Sequence, residues 1–117
     1  MTKKLPLQTV LIVGLGNIGK RHLGNIRRIR PKMTIVALRH KNSKADRTSG
    51  VNFVVNSIKD ALVYNPDLAI ITNPSSLHVS TALPLAGAGV HLFIEKPISS
   101  SIKDVKKLLS LAKKNKI

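Results

Sequence analysis

The sequence predicts an α/β fold, a doubly wound parallel sheet of about five strands held between two layers of helices, three layers in all. Three observations predict it. Apolar, β-branched runs alternate along the chain with segments of helical period, in the order β-α-β-β-α-β-α-β-α. Most of these runs are continuously apolar, as expected of strands covered on both faces. The 117 residues, 43% of them apolar, suffice for one core and are too few for two ordinary ones.

Each element has its own signal. Thr9-Val10-Leu11-Ile12-Val13 is an unbroken β-branched run. From Asn17 the apolar positions shift to Ile18, His22, Leu23, Ile26 and Ile29, one helical face with Arg and Lys opposite, until Pro31 stops it. Thr34–Leu38 is a second strand, Arg39 to Gly50 a polar loop, and Val51–Val54 a short third strand. Ser57 is a good N-cap for a helix to Tyr64, ended by Asn65-Pro66. Asp67–Thr72 is a fourth strand, after which Ser75 or Ser76 caps a helix to about Gly89, with Pro84 expected to kink it. Val90–Ile94 is the fifth strand. Ser101 then opens a Lys-rich helix.

The junction of the first strand and first helix reads Gly14-Leu15-Gly16-Asn17-Ile18-Gly19. A lone G-x-G-x-x-G carries little weight. Here a buried strand leads in, a helix leads out, and the unit closes on the next strand within about thirty residues, which is the context of a Rossmann-type dinucleotide site. In that reading Gly14 permits the tight turn, Gly16 lets the backbone approach a pyrophosphate, and Gly19 lets the helix pack closely on the strand. The N–H groups of the helix start, at Asn17 and Ile18, would face the pyrophosphate. Roughly twenty positions on, where an acid would bind the ribose 2′-hydroxyl, the chain has Arg39-His40-Lys41. A guanidinium there can clamp a 2′-phosphate, so NADP is expected in preference to NAD.

Other chemistries find less support. The absence of cysteine excludes disulfides, thiolate metal sites and a thiol nucleophile, and fits a reducing, cytoplasmic setting. No carboxylate or histidine cluster has metal-ligand spacing, and no segment approaches membrane-spanning length. His22 and His91 are expected to be packed, hydrogen-bonded residues, and His40 a loop residue. Twenty Lys and Arg against five Asp and Glu give a net charge of +15, which attracts polyanions, but aromatics at 3% leave few stacking platforms for a nucleic-acid strand. A nucleic-acid-associated protein is therefore the lesser alternative, and a dinucleotide-binding sensor or partner subunit the greater.

Three segments together resemble the N-terminal domain of the Gfo/Idh/MocA oxidoreductases, the glucose–fructose oxidoreductase and inositol dehydrogenase family. They are Gly14–His22, Asp67–His78 and Gly89–Pro97, the last ending in the specific tripeptide Glu95-Lys96-Pro97. The resemblance runs from about Thr9 to the end. It implies that Gly14, Gly16 and Gly19 form the pyrophosphate loop and that Arg39 discriminates the ribose substituent. It also implies that Thr72, Asn73, Pro74, Ser75 and His78 lie along the dinucleotide, with Glu95 near the nicotinamide ribose. Lys96 would reach toward substrate and nicotinamide as the catalytic cation, and Pro97 would follow a cis peptide bond. The implied reaction is hydride transfer between nicotinamide and a hydroxyl or carbonyl of a sugar- or polyol-like substrate. Members of that family carry a second domain that supplies most of the substrate pocket. The expectation here is thus one nucleotide-binding domain over residues 1–117, lacking a sixth strand and any second domain, without turnover of its own. Its uncovered edge beside the fifth strand would favour self-association.

Overall fold

The computed structural model describes residues 6–39 and 49–117, and in them the five expected strands form one parallel sheet. The elements run β1 (Thr9–Val13), α1 (Asn17–Ile29), β2 (Thr34–Leu38), β3 (Phe53–Val55), α2 (Ile58–Leu62), β4 (Leu68–Ile71), a 3₁₀ turn (Ser75–Leu77), α3 (His78–Gly87), β5 (His91–Ile94) and α4 (Val105–Lys114). The sheet order is β3-β2-β1-β4-β5, with Val10 opposite both Ile35 and Leu68. The chain therefore winds outward from β1 in one direction, then returns to continue from β1's other side. Between β1 and β4 the order reverses, and a crevice opens beyond the carboxyl ends of those strands.

The period of two along each strand divides the apolar residues between two cores. Val10 and Ile12 of β1, with Ile35, Ala37 and Ile70, pack beneath α1 through Leu23. Leu11 and Val13, with Val36, Ala69 and Ile71, pack beneath α2, α3 and α4 through Ala61, Val79, Ala82, Leu85 and Leu108. Both sets are buried, which is why the sequence reads as continuously apolar rather than alternating. The three-layer, doubly wound expectation is met.

Several boundaries moved, each for a local reason. The third strand runs Phe53–Val55 rather than Val51–Val54: at its start the Asn52 N–H donates to Ile35 O at 2.9 Å, but the Ile35 N–H is taken by the Asn52 side-chain carbonyl at 2.8 Å instead of by a backbone carbonyl. The second helix ends at Leu62 rather than Tyr64, and Asn65 leaves it with φ 49°. Its Ser57 cap is as expected, accepting the Asp60 N–H at 3.0 Å. Neither Ser75 nor Ser76 caps α3. Both lie in the 3₁₀ turn that follows Pro74, and α3 begins at His78 and runs through Pro84 to Gly87. Ser101 does not open α4, since its hydroxyl accepts the Lys103 N–H at 3.0 Å in a local turn, and the helix starts at Val105 after Asp104 at φ 64°.

Candidate functional site

The three glycines at the junction of β1 and α1 divide three tasks among them. Gly14 adopts φ +89°, a conformation that L side chains resist, and an added Cβ would also crowd Asn73 N at 3.1 Å. Gly19 is buried within α1, where a Cβ would collide with the Gly14 carbonyl oxygen and lie 3.0 Å from Thr72 Oγ1. Gly16 differs from both: it is the N-cap of α1 in extended backbone, exposed, and a Cβ there would meet nothing within 4 Å. Packing of the protein on itself explains Gly14 and Gly19. It does not explain Gly16, whose missing side chain leaves open space in front of a helix start that has no side-chain cap and no acid in its first turn. Such a start presents unpaired N–H groups and the positive end of the helix dipole to an anion.

The rest of the cleft is stitched to this loop. The Thr72 hydroxyl lies 2.9 Å from the carbonyl oxygens of both Val13 and Gly14, tying the end of β4 to the glycine turn. Gly14 N donates to Leu38 O at 3.0 Å, tying in β2. Together these ends enclose an open cleft of about 560 Å³, lined by Gly14, Leu15 and Gly16, by Leu38 and Arg39, by Asn56 to Ile58, and by Thr72 to Pro74 with Leu77 and Thr81. The volume suits a small-molecule site. Asn73 donates through Nδ2 to Thr81 Oγ1 at 3.0 Å, while its Oδ1 is buried with no hydrogen-bond partner.

Of the residues expected at the site, Gly14, Gly16, Arg39, Thr72, Asn73 and Pro74 line this cleft. Gly19 and His78 are buried, and Asn17, Ile18, Ser75, Glu95, Lys96 and Pro97 lie outside its lining. His40 and Lys41 lie outside the described residues. His78 is 2% exposed, its Nε2 2.7 Å from Asn73 O and its Nδ1 2.9 Å from Pro97 O, so it joins the loop after β4 to the loop after β5. The Lys96–Pro97 peptide bond is cis. Glu95 Oε1 accepts from His22 Nε2 at 2.7 Å, and this hydrogen bond holds the Glu95 carboxyl below its ordinary value near 4.5. Desolvation pushes the other way, and the Lys96 backbone N–H and the charges of His22 and Lys96 add to the lowering. His22 is thus hydrogen-bonded as expected, whereas His91, expected to be packed, is exposed.

Sequence reasoning did not single out Asn56, Leu77 or Thr81 as part of a site. Asn56 was recoverable, because it directly follows β3 at the carboxyl edge of a parallel sheet, where such sheets bind ligands. A second hollow of about 650 Å³ is larger but lies at the opposite edge, between Pro6–Gln8 and Ile29–Thr34. It has no glycine cradle, and the Arg30 guanidinium beside it donates to Leu7 O at 3.1 Å. Among the described residues no group of three His, Asp or Glu could hold a metal ion, and no helix is long and apolar enough to cross a membrane.

Residues 8–117 match the family model for oxidoreductases with an NAD-binding Rossmann fold, Gfo/Idh/MocA. The chain belongs to the Gfo/Idh/MocA oxidoreductase family. Within it, this chain is the NAD-binding Rossmann domain. The uncharacterized oxidoreductase YrbE of Bacillus subtilis (strain 168) is 31% identical over 112 residues, covering 89% of this chain and 32% of that protein. The WlbA dehydrogenase from Bordetella pertussis, solved in complex with NADH and UDP-GlcNAcA, superposes with a TM-score of 0.80 at 25% identity over 95% of this chain and 35% of its own. The myo-inositol 2-dehydrogenase from Lactobacillus plantarum gives a TM-score of 0.78 at 25% identity over 95% of this chain and 34% of its own. The chain spans about a third of the length of these relatives.

Proposed function

We propose that this domain serves hydride transfer between a nicotinamide dinucleotide and a hydroxyl or carbonyl of a sugar- or polyol-like substrate, with NADP preferred to NAD. The observation that carries the cofactor part is Gly16: an open position in front of the uncapped start of α1, where the backbone itself can meet a pyrophosphate. The cradle fits the group. Gly14 to Ile18 would hold the pyrophosphate, Arg39 the substituted ribose, and Thr72 to Ser75 the middle of the dinucleotide, with Gly19 and His78 supporting these loops from behind. Bound NAD(P) supplies the hydride donor or acceptor.

Glu95 contributes an acceptor for ribose hydroxyls, and the Lys96 ammonium a cation that polarises the substrate oxygen and stabilises negative charge developing on it. The sugar-like substrate class follows from the relatives' own names, WlbA with its UDP-GlcNAcA and the inositol dehydrogenase. What supports the NADP preference is Arg39, just past the end of β2 in the lining of the cleft. The lack of cysteine supports a reducing, cytoplasmic setting, and β5, an edge strand with Phe93 50% exposed, supports self-association that strengthens as salt screens the +15 charge.

Calorimetric titration with NADPH and NADH tests the specificity. The wild-type chain is expected to bind NADPH more tightly, and Arg39→Glu to reverse the order, because a carboxylate repels the 2′-phosphate and accepts from a free 2′-hydroxyl. Equal affinities, or an unchanged preference in Arg39→Glu, refute it.

A further inference from the structure

Helix α1 packs on β1 and β2 and reaches β4 through Ile70 and Leu68, and no residue of β5 belongs to the core beneath it. Yet one α1 side chain spans that gap. His22 Nε2 lies 2.7 Å from Glu95 Oε1, across 73 positions of sequence, with the two side chains 23% and 27% exposed. Phe93, two residues before Glu95, meets the imidazole edge-on, ring centroids 5.4 Å apart at 69°. The contact is therefore braced from β5 on two sides, by a carboxylate and by a ring.

We infer that His22 is a positioning residue, fixing the Glu95 carboxylate to the helix that opens the pyrophosphate cradle so that the nicotinamide ribose meets a pre-aimed acceptor. This rests on the reading that Glu95 meets that ribose. An ionised carboxylate only accepts, so His22 Nε2 carries the proton and donates. The second carboxylate oxygen accepts the Lys96 backbone N–H at 3.3 Å, so both oxygens are held. Each retains acceptor capacity, and a ribose hydroxyl can use it without displacing either bond. Because α1 also carries the helix start behind Gly16, the same rigid element sets the positions of the pyrophosphate site and of Glu95. The spacing between the two sites is then built into the protein before any ligand arrives, and the ligand need not order a loose carboxylate when it binds.

Glu95 is the sole glutamate of the chain, so carboxyl-labelled glutamate gives one resonance that reports the pair directly. The experiment combines that signal with binding of NADH and of ADP, which retains the pyrophosphate and lacks the nicotinamide ribose. In His22→Ala the Glu95 titration is expected to move to higher pH, and NADH affinity to fall roughly two- to fivefold, the range of one partly exposed charged hydrogen bond, with ADP affinity unchanged. His22→Gln, whose amide can donate from a similar position, is expected to restore both. In a Glu95→Ala background, His22→Ala is expected to cost nothing further. Equal loss of NADH and ADP affinity in His22→Ala, an unmoved Glu95 titration, or an undiminished His22→Ala effect in the Glu95→Ala background overturns the inference while leaving the cofactor reading intact. Wild-type protein that holds NADH no more tightly than ADP overturns the placement of Glu95 at the ribose, and the inference with it.

Discussion

Replacing Gly16 and Gly19 by alanine separates ligand space from packing space within the first turn of one helix. At Gly19 the new methyl group meets the Gly14 carbonyl oxygen, the Gly14 carbonyl carbon at 3.0 Å and Thr72 Oγ1 at 3.0 Å. The first two are backbone, so α1 must move away from the turn. Overpacking of this kind costs about 3 kcal/mol at the upper end of its usual range, and alanine returns about 1 kcal/mol through its better helix propensity. Gly19→Ala should therefore lose about 2 kcal/mol, a fall in Tm of roughly 8 °C for a domain of this size. At Gly16 nothing lies within 4 Å and the backbone is extended, so the fold loses only the N-cap preference of glycine over alanine, about 1 kcal/mol or less. The methyl group instead occupies the approach to the N–H groups of α1. One lost charged hydrogen bond is worth about 1.5 kcal/mol or more, at least a tenfold weakening of dinucleotide binding. Denaturation curves and NADH titration on both variants read the two quantities separately. Gly16→Ala that binds like wild type, or Gly19→Ala that melts like wild type, refutes the division of tasks.

Two more substitutions probe the loop after β5. Lys96 is exposed and outside the cleft lining, so Lys96→Ala should leave NADH affinity within about twofold of wild type; calorimetry that shows a larger loss assigns Lys96 to cofactor binding rather than to substrate chemistry. The Glu95 carboxyl is held below its ordinary value near 4.5 by His22, so its ionised form is favoured in the folded state. The stability that wild type holds over Glu95→Gln should be fully present above that ordinary value and vanish as pH falls through the lowered folded value. Denaturation at a series of pH values checks the sign, and an advantage that grows on acidification contradicts it.

Much of the fold was legible because two periodicities and one motif agree. The strands β1, β2 and β4 are buried on both faces, so their residues had to be apolar throughout, and the sequence shows this at Val10–Val13, Ile35–Ala37 and Ala69–Ile71. The helix α1 was legible to its first residue, since Gly16 and Pro31 bracket it. What escaped were segments decided by short-range polar side chains. Ser101 satisfies a nearby backbone N–H through its own hydroxyl and delays the helix expected to open there, and the Asn52 side chain, reaching across to Ile35, shortens the third strand at its start. Ser75 and Ser76 looked like caps by residue type alone, while α3 starts without a side-chain cap at His78, whose ring bridges two carbonyls 19 and 5 positions away. The site divides similarly. The glycine loop is local in sequence and could be read from it, whereas the His22–Glu95 pair joins residues on α1 and after β5 and becomes visible only when the sheet brings them together.

We read the crevice where β1 and β4 diverge as the seat of a nicotinamide dinucleotide. Amide chemical-shift mapping of the labelled chain during titration with NADH tests it most directly. Saturable shifts are expected, concentrated at Leu15 to Ile18, Arg39, Asn56, Thr72 to Asn73 and Glu95 to Lys96. Shifts spread instead over the lysines of α4, or centred on the hollow between Leu7 and Pro31 at the opposite edge of the sheet, would contradict it and mark the binding as attraction of an anion to a basic surface.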